Sequence, residues 1–241
     1  MSIWGSLIGG MIGFSLGGPF GMLLGSLVGG KISRARSQSG LGSFANPQQV
    51  FALSLIVLSA KLSKADGQVS REELIAVKDK LKIPENELDQ VGKIFNKAKE
   101  ESTGYEPYAT QIAQVYRGNL NVLEEVINIL FYIAEADGNI SKSELNMIEN
   151  IARIFGLNEK QFNSIKESRK SSEKLNPYIV LESNPDDNIE NIRKKYIKLS
   201  KEHHPDLLIS KGVPEEVIEE SKKKMRAINS AWDQIQKLKP N

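Results

Sequence analysis

The sequence predicts an all-α protein in three parts, and three observations predict it. Residues 2–30 carry no charge and step through glycine every fourth residue. Two strongly apolar runs in the middle each end in Ala-Asp-Gly and reopen as an amphipathic helix. The last sixty-odd residues form two amphipathic helices separated by His-His-Pro-Asp. The parts are an N-terminal glycine-zipper transmembrane helix (1–30), a linker (31–47), a helical bundle (48–168), a linker (169–175) and a C-terminal helical hairpin unit (176–241). The 241 residues carry a formal net charge of +2, which gives no overall bias towards nucleic acid, and none is expected as a partner. Cysteine is absent and there are only two histidines, His203 and His204. Disulfide frameworks, zinc ribbons, thiol nucleophiles and multi-histidine centres are therefore excluded. No cofactor is expected.

Ten of the 28 residues from Ile3 to Gly30 are glycine. In water each would cost a helix about 1 kcal/mol relative to alanine. In a bilayer, unpaired backbone groups cost more and the helix is enforced. Glycine then lets a second helix approach closely. Gly5, Gly9, Gly13, Gly17, Gly21, Gly25 and Gly29 form such a stripe, and the segment predicts a membrane anchor that self-associates, most simply as a homodimer. A hairpin turning at Gly17-Gly18-Pro19 is the rival geometry. Lys31, Arg34 and Arg36 follow the apolar stretch, so the positive-inside rule places the N-terminus outside and the remainder in the cytoplasm.

In the middle, "KADGQVSREEL" (64–74) and "EADGNISKSEL" (135–145) align without a gap. Each follows an apolar run, "VFALSLIVLSAKL" or "VLEEVINILFYIA", and the two helix pairs are expected to pack run against run. Ser70 and Ser141 stand at N-cap positions with Glu73 and Glu144 three residues on, a capping box. Asp66 and Asp137 with their glycines make the turn before it. A cation site built from Asp66, Glu73, Asp137 and Glu144 is the competing reading. A calcium loop fails, because its first and third places hold Leu62 and Lys64 in one copy and Ile133 and Glu135 in the other. Capping is the stronger reading. The twin Ala-Asp-Gly signatures resemble the TerB-like (tellurite-resistance) helical domain over roughly residues 48–165, which implies an acidic, metal-responsive interaction module.

At the C-terminal end, "NPYIVLES" reads as a short helix and "NPDDN" as a turn. "IENIRKKYIKLSKEHH" then places Ile189, Ile192, Tyr196 and Leu199 along one seam. Arg193, Lys194, Lys195, Lys198 and Lys201 occupy the other face. Pro205 stops the helix and puts His204 and Asp206 on a loop. "PEEVIEESKKKMRAINSAWDQIQKL" follows as the second long helix, starting at Pro214. "PYIVL", "YIKLSKEHHPD" and "AINSAW" resemble the J domain of DnaJ-type co-chaperones over residues 176–238. Glu182 where a glycine is usual, Ile197 in place of an arginine and Trp232 in place of a tyrosine depart from that family.

The resemblance implies that His204, Pro205 and Asp206, with Arg193, Lys194, Lys195, Lys198 and Lys201, dock on a DnaK-type chaperone and trigger its ATP hydrolysis. The chain itself would then be no enzyme, and no Ser/His/Asp set, phosphate loop or carboxylate pair suggests otherwise. Anchor, TerB-like bundle and J domain in this order resemble the membrane-anchored J-domain co-chaperones of bacterial inner membranes. The alternative reading is a membrane-tethered metal or stress sensor, with the J domain secondary.

Overall fold

The structure is a computed structural model that describes residues 18–27, 47–64, 71–170, 174–215 and 218–239. Every regular element among the described residues is helical. Helix α1 spans Gly18–Leu27 and α2 Pro47–Leu62. Helix α3 spans Arg71–Lys80, α4 Leu88–Glu100, α5 Glu106–Val115, α6 Leu120–Ala134, α7 Lys142–Ile154 and α8 Glu159–Glu167.

Helices α2 and α6 are the two apolar runs, and they are the axis of the bundle. A helix that is apolar all round has no solvent face to offer and must be enclosed. From Val50 to Leu62 every residue of α2 is buried, and α6 is buried from Asn121 to Phe131. The two pack against each other, as the repeat predicts. Helices α4 and α5 cover α2, and α3, α7 and α8 cover α6. Ser54 survives inside by donating back to the Val50 carbonyl at 2.6 Å. Lys61 donates to the carbonyls of Glu101 (3.1 Å) and Thr103 (2.5 Å), which ties the end of α4 to the core.

Helix α1 packs on this bundle. Phe20, Leu23 and Leu24 are buried in the same core, and the Phe20 ring meets Tyr108 edge-on at 5.0 Å. The Phe20 amide donates to Gln111 Oε1 at 3.2 Å. Gly18 has φ +56°, which favours glycine, and a Cβ there would lie 2.9 Å from Gln111 Oε1 and push that side chain aside. This helix is the described part of the expected span. Its ten residues rise about 15 Å, half of a hydrocarbon core of about 30 Å. Among the described residues no helix is long and apolar enough to cross a membrane. The stripe positions Gly5, Gly9, Gly13, Gly17 and Gly29, with Lys31, Arg34 and Arg36, lie outside the described residues, leaving Gly21 and Gly25 on α1.

The C-terminal unit comprises α9 (Pro177–Val180), α10 (Ile189–Glu202), α11 (Pro205–Ser210) and α12 (Ile218–Leu238). Ile192 and Leu199 of α10 pack with Ala227, Ile228, Ala231 and Ile235 of α12, closed at one end by Val180 and Leu181. Tyr196 stacks on Trp232 with ring centroids 5.1 Å apart, so the tryptophan takes over a stacking position in the seam. Two expectations are corrected. Pro214 lies outside any helix, with the described part of α12 running from Ile218, and the segment after His204 is a short helix instead of an open loop, with Pro205 at its first position. Proline is tolerated there because its missing N–H would be unpaired anyway.

The unit does not hang from a free linker. Arg169, the first residue of the expected linker 169–175, donates to both carboxylate oxygens of Glu135 and to Asn128 at 2.5–3.0 Å. Ser164 Oγ donates to the Val180 carbonyl at 2.7 Å, and the Asn176 amide to Glu167 Oε1 at 2.6 Å. Leu208, Val213 and Ile218 extend the buried cluster of the bundle itself.

Candidate functional site

The His-Pro-Asp tripeptide closes α10 and opens α11. His204 is the N-cap of α11, with its backbone extended at φ −65°, ψ 131°, the geometry favoured before proline. Its Nδ1 accepts from the Asp206 amide at 3.3 Å, which satisfies one of the free N–H groups at the helix start. The imidazole and the Asp206 carboxylate lie 3.8 Å apart and remain outside, with side chains 54% and 89% exposed. The Asp206 carboxylate is thus free to take a two-pronged hydrogen bond from an incoming arginine.

The cationic face behind it is only partly as expected. Arg193, Lys194 and Lys201 are exposed, and Lys198 is 70% exposed with a loose 3.9 Å contact to Glu202. Lys195 belongs to the structure instead. Its amine donates to Asp187 Oδ2 at 2.8 Å and to the Glu182 carbonyl at 3.1 Å, pinning the turn between α9 and α10. That bond from Lys195 holds the Asp187 carboxyl below the usual carboxylate range. Lys195 therefore stands apart from the four exposed cations.

Immediately beside the tripeptide is a buried polar cluster that the sequence reading missed. Glu124, in the second turn of α6, is 6% exposed at its side chain. Its Oε2 accepts from Lys224 Nζ at 2.9 Å and lies 3.1 Å from His203 Nε2, and its Oε1 accepts from Gln161 Nε2 at 2.9 Å. Next to it, Asn121 Nδ2 donates to the Glu202 carbonyl at 2.9 Å. Burial pushes the Glu124 carboxyl up, but the Lys224 ammonium and the hydrogen bonds from His203 and Lys224 outweigh it and hold the group well below the carboxylate range. His203 is pushed down, first by burial and then by Lys224. The reason is charge balance. Glu124 and Lys224 already neutralise each other, so a proton on His203 would leave an uncompensated positive charge inside. Burial and Lys224 thus disfavour protonation of His203, whose Nε2 faces the Glu124 carboxylate.

A signal for this cluster was present. Glu124 and Glu125 are the only charged residues in a run that is otherwise apolar but for Asn128. Lys224 is the lysine of "KKK" four residues before Ile228 on the buried stripe, and His203 follows Leu199 by four on the seam of α10.

The second candidate site divides differently. Ser141 Oγ accepts from the Glu144 amide at 3.1 Å and the Glu144 carboxylate accepts from the Ser141 amide at 2.8 Å, the complete capping box. Asp137 accepts from the Asn139 amide at 2.9 Å to close the turn. Both carboxylates are occupied as structural acceptors. Asp66, Ser70 and the Glu73 side chain lie outside the described residues, and no cluster able to hold a metal ion occurs among the described ones.

Comparison with known proteins finds family matches for two parts of the chain. Residues 52–167 match the family of tellurite resistance protein TerB. Residues 1–39 match the co-chaperone DjlA transmembrane domain. The curated co-chaperone protein DjlA of Photobacterium profundum is 27% identical, with 98% of this chain and 99% of the relative covered. Those of Vibrio parahaemolyticus and Escherichia coli are 27% and 26% identical, each covering 99% of both chains. No solved structure matches. The chain is thus similar from end to end to DjlA co-chaperones, with a TerB-type middle segment and a DjlA-type N-terminal segment.

Proposed function

We propose that the chain is a membrane-anchored J-domain co-chaperone. It recruits a DnaK-type ATPase to the bacterial inner membrane and stimulates that partner's ATP hydrolysis through His204, Pro205 and Asp206. The observation that carries the reading is the display of the tripeptide. His204 and Asp206 stand exposed at the end of a helix whose outer face holds Arg193, Lys194, Lys198 and Lys201. A cationic helix steers towards an acidic partner surface and raises the encounter rate. Pro205, fixed at the first position of α11, lowers the ordering cost of docking. Bond chemistry belongs to the partner, and the chain supplies only binding groups. The name carried by the relatives and the match of residues 1–39 support the co-chaperone role and the anchoring. Residues 1–39 decide where the trigger acts, with the helical domains in the cytoplasm and the glycine stripe pairing two copies.

The test of docking is a binding titration of the full-length chain in detergent against the ATP-loaded partner, repeated across salt concentrations. Lys194→Glu with Lys198→Glu weakens binding about tenfold or more at low salt and flattens the salt dependence. Unchanged binding in that variant, or a loss equal at all salt concentrations, contradicts electrostatic docking on α10.

A further inference from the structure

One carboxylate of the middle domain holds both long helices of the C-terminal unit at the end that carries the tripeptide. Glu124 Oε2 meets His203 of α10 at 3.1 Å and Lys224 of α12 at 2.9 Å. His203 directly precedes His204. The carbonyl of Glu202, one residue earlier, is held by Asn121, also on α6. On the far side of the tripeptide, Lys211 Nζ donates to Asn121 Oδ1 of α6 at 3.4 Å, and Leu208 joins the buried cluster of the bundle. The three residues that face outward are thus bracketed on both sides by contacts to the middle domain. They are not set by the hairpin alone.

We propose that Glu124 is a positioning residue for the His204-Pro205-Asp206 trigger, so that the TerB domain sets how well the trigger docks. The proposal rests on the functional reading above. Its physical content is preorganisation. A trigger whose flanks are fixed loses less freedom on docking than one carried by a fraying helix end. Gln161, donating to Glu Oε1 from α8, fixes the rotamer of Glu124 and passes the restraint to the rest of the bundle. Anything that shifts α6 or α8 would be felt at the tripeptide, and this assigns the middle domain a tuning role over the J unit.

Two variants separate positioning from simple destabilisation. Glu124→Gln keeps the shape and removes the charge. Glu124→Leu with Lys224→Met replaces the buried ion pair by apolar groups of similar size, which folded proteins tolerate. Both are made in the full-length chain, and amide hydrogen exchange is measured without any partner. Residues 203–212 exchange about tenfold faster in each variant, while the amides of α2 keep their protection. Unchanged exchange over 203–212, or faster exchange throughout the bundle, overturns the proposal.

In an ATPase titration with the partner, the concentration for half-maximal stimulation rises about tenfold while the maximum is kept, because a loosened trigger still works once docked. A lower maximum at unchanged half-saturation signals a misfolded fraction and overturns it. If the wild-type chain gives no stimulation, the functional reading fails, and the exchange measurement still decides whether Glu124 positions the tripeptide.

Discussion

Individual residues explain where family-like motifs tolerate exceptions. Glu182 stands where a J domain usually has glycine, and its φ of +53° shows what that position demands. A left-handed conformation costs a residue with a Cβ about 1–2 kcal/mol. The side chain adds to the cost. Its Oε1 is buried without a hydrogen-bond partner among the described residues, and burial, reinforced by the Glu124 charge, pushes the carboxyl up. Glu182→Gly is therefore expected to raise the unfolding free energy by about 1 kcal/mol, after glycine's own entropic cost is subtracted. A chemical-denaturation midpoint checks this, and a lower midpoint would mean that the carboxylate contributes an interaction at that turn. Lys195 teaches the converse. It lies among four cations in sequence, yet its amine is consumed by Asp187 and the Glu182 carbonyl. Spacing places a lysine on a face, but only the neighbouring turn decides whether its charge is free.

At the scale of elements, what was legible was periodicity and capping. The apolar runs announced α2 and α6, because helices without a polar face have to be enclosed. Ser141 and Glu144 announced the start of α7 down to the reciprocal bonds. Ser141→Ala is expected to lower stability by about 1 kcal/mol, read as a shift of the unfolding midpoint with unchanged slope. No shift would mean that the cap is replaced by water at no cost. Less legible was α1. Its glycines read as a close-approach stripe in a membrane anchor, and residues 1–39 match a transmembrane domain, but the pattern did not reveal that Gly18 takes a left-handed φ beside Gln111 or that Phe20 packs on Tyr108. Pro214 was misread as a helix start. It is a good first helical residue, but Val213 and Pro214 are buried in the non-helical stretch that follows α11.

At the scale of the whole molecule, the new feature is that bundle and hairpin share a core. Nothing in the sequence pattern shows which buried charge on one domain meets which on another, so Glu124, His203 and Lys224 could be suspected singly but not joined. Their union has a pH signature. In the folded chain His203 resists protonation, facing Glu124, Lys224 and Glu202, whereas the unfolded chain protonates it near the ordinary value of 6.5. The unfolded state thus binds more protons as pH falls, and stability present above about pH 6.5 is lost below it. Glu182, with its raised carboxyl, acts in the opposite sense, since its folded form takes up a proton at higher pH than the unfolded chain does. The measurable quantity is therefore a difference. Between about pH 7.5 and 5.5 the wild type loses on the order of 1 kcal/mol more than His203→Gln does. Equal losses would contradict a buried His203 that resists protonation.

The account as a whole depends on an exposed His204-Pro205-Asp206 acting on another protein's nucleotide hydrolysis. It is tested most directly by the steady-state turnover of a DnaK-type ATPase in the presence of the full-length chain in lipid vesicles. The wild type is expected to raise turnover in a saturable way, and His204→Gln, which alters an exposed cap and no buried contact, to leave turnover at its basal rate while keeping its own unfolding midpoint within about 1 kcal/mol of wild type. Stimulation by His204→Gln equal to that of the wild type, or a flat response to the wild type itself, would contradict it.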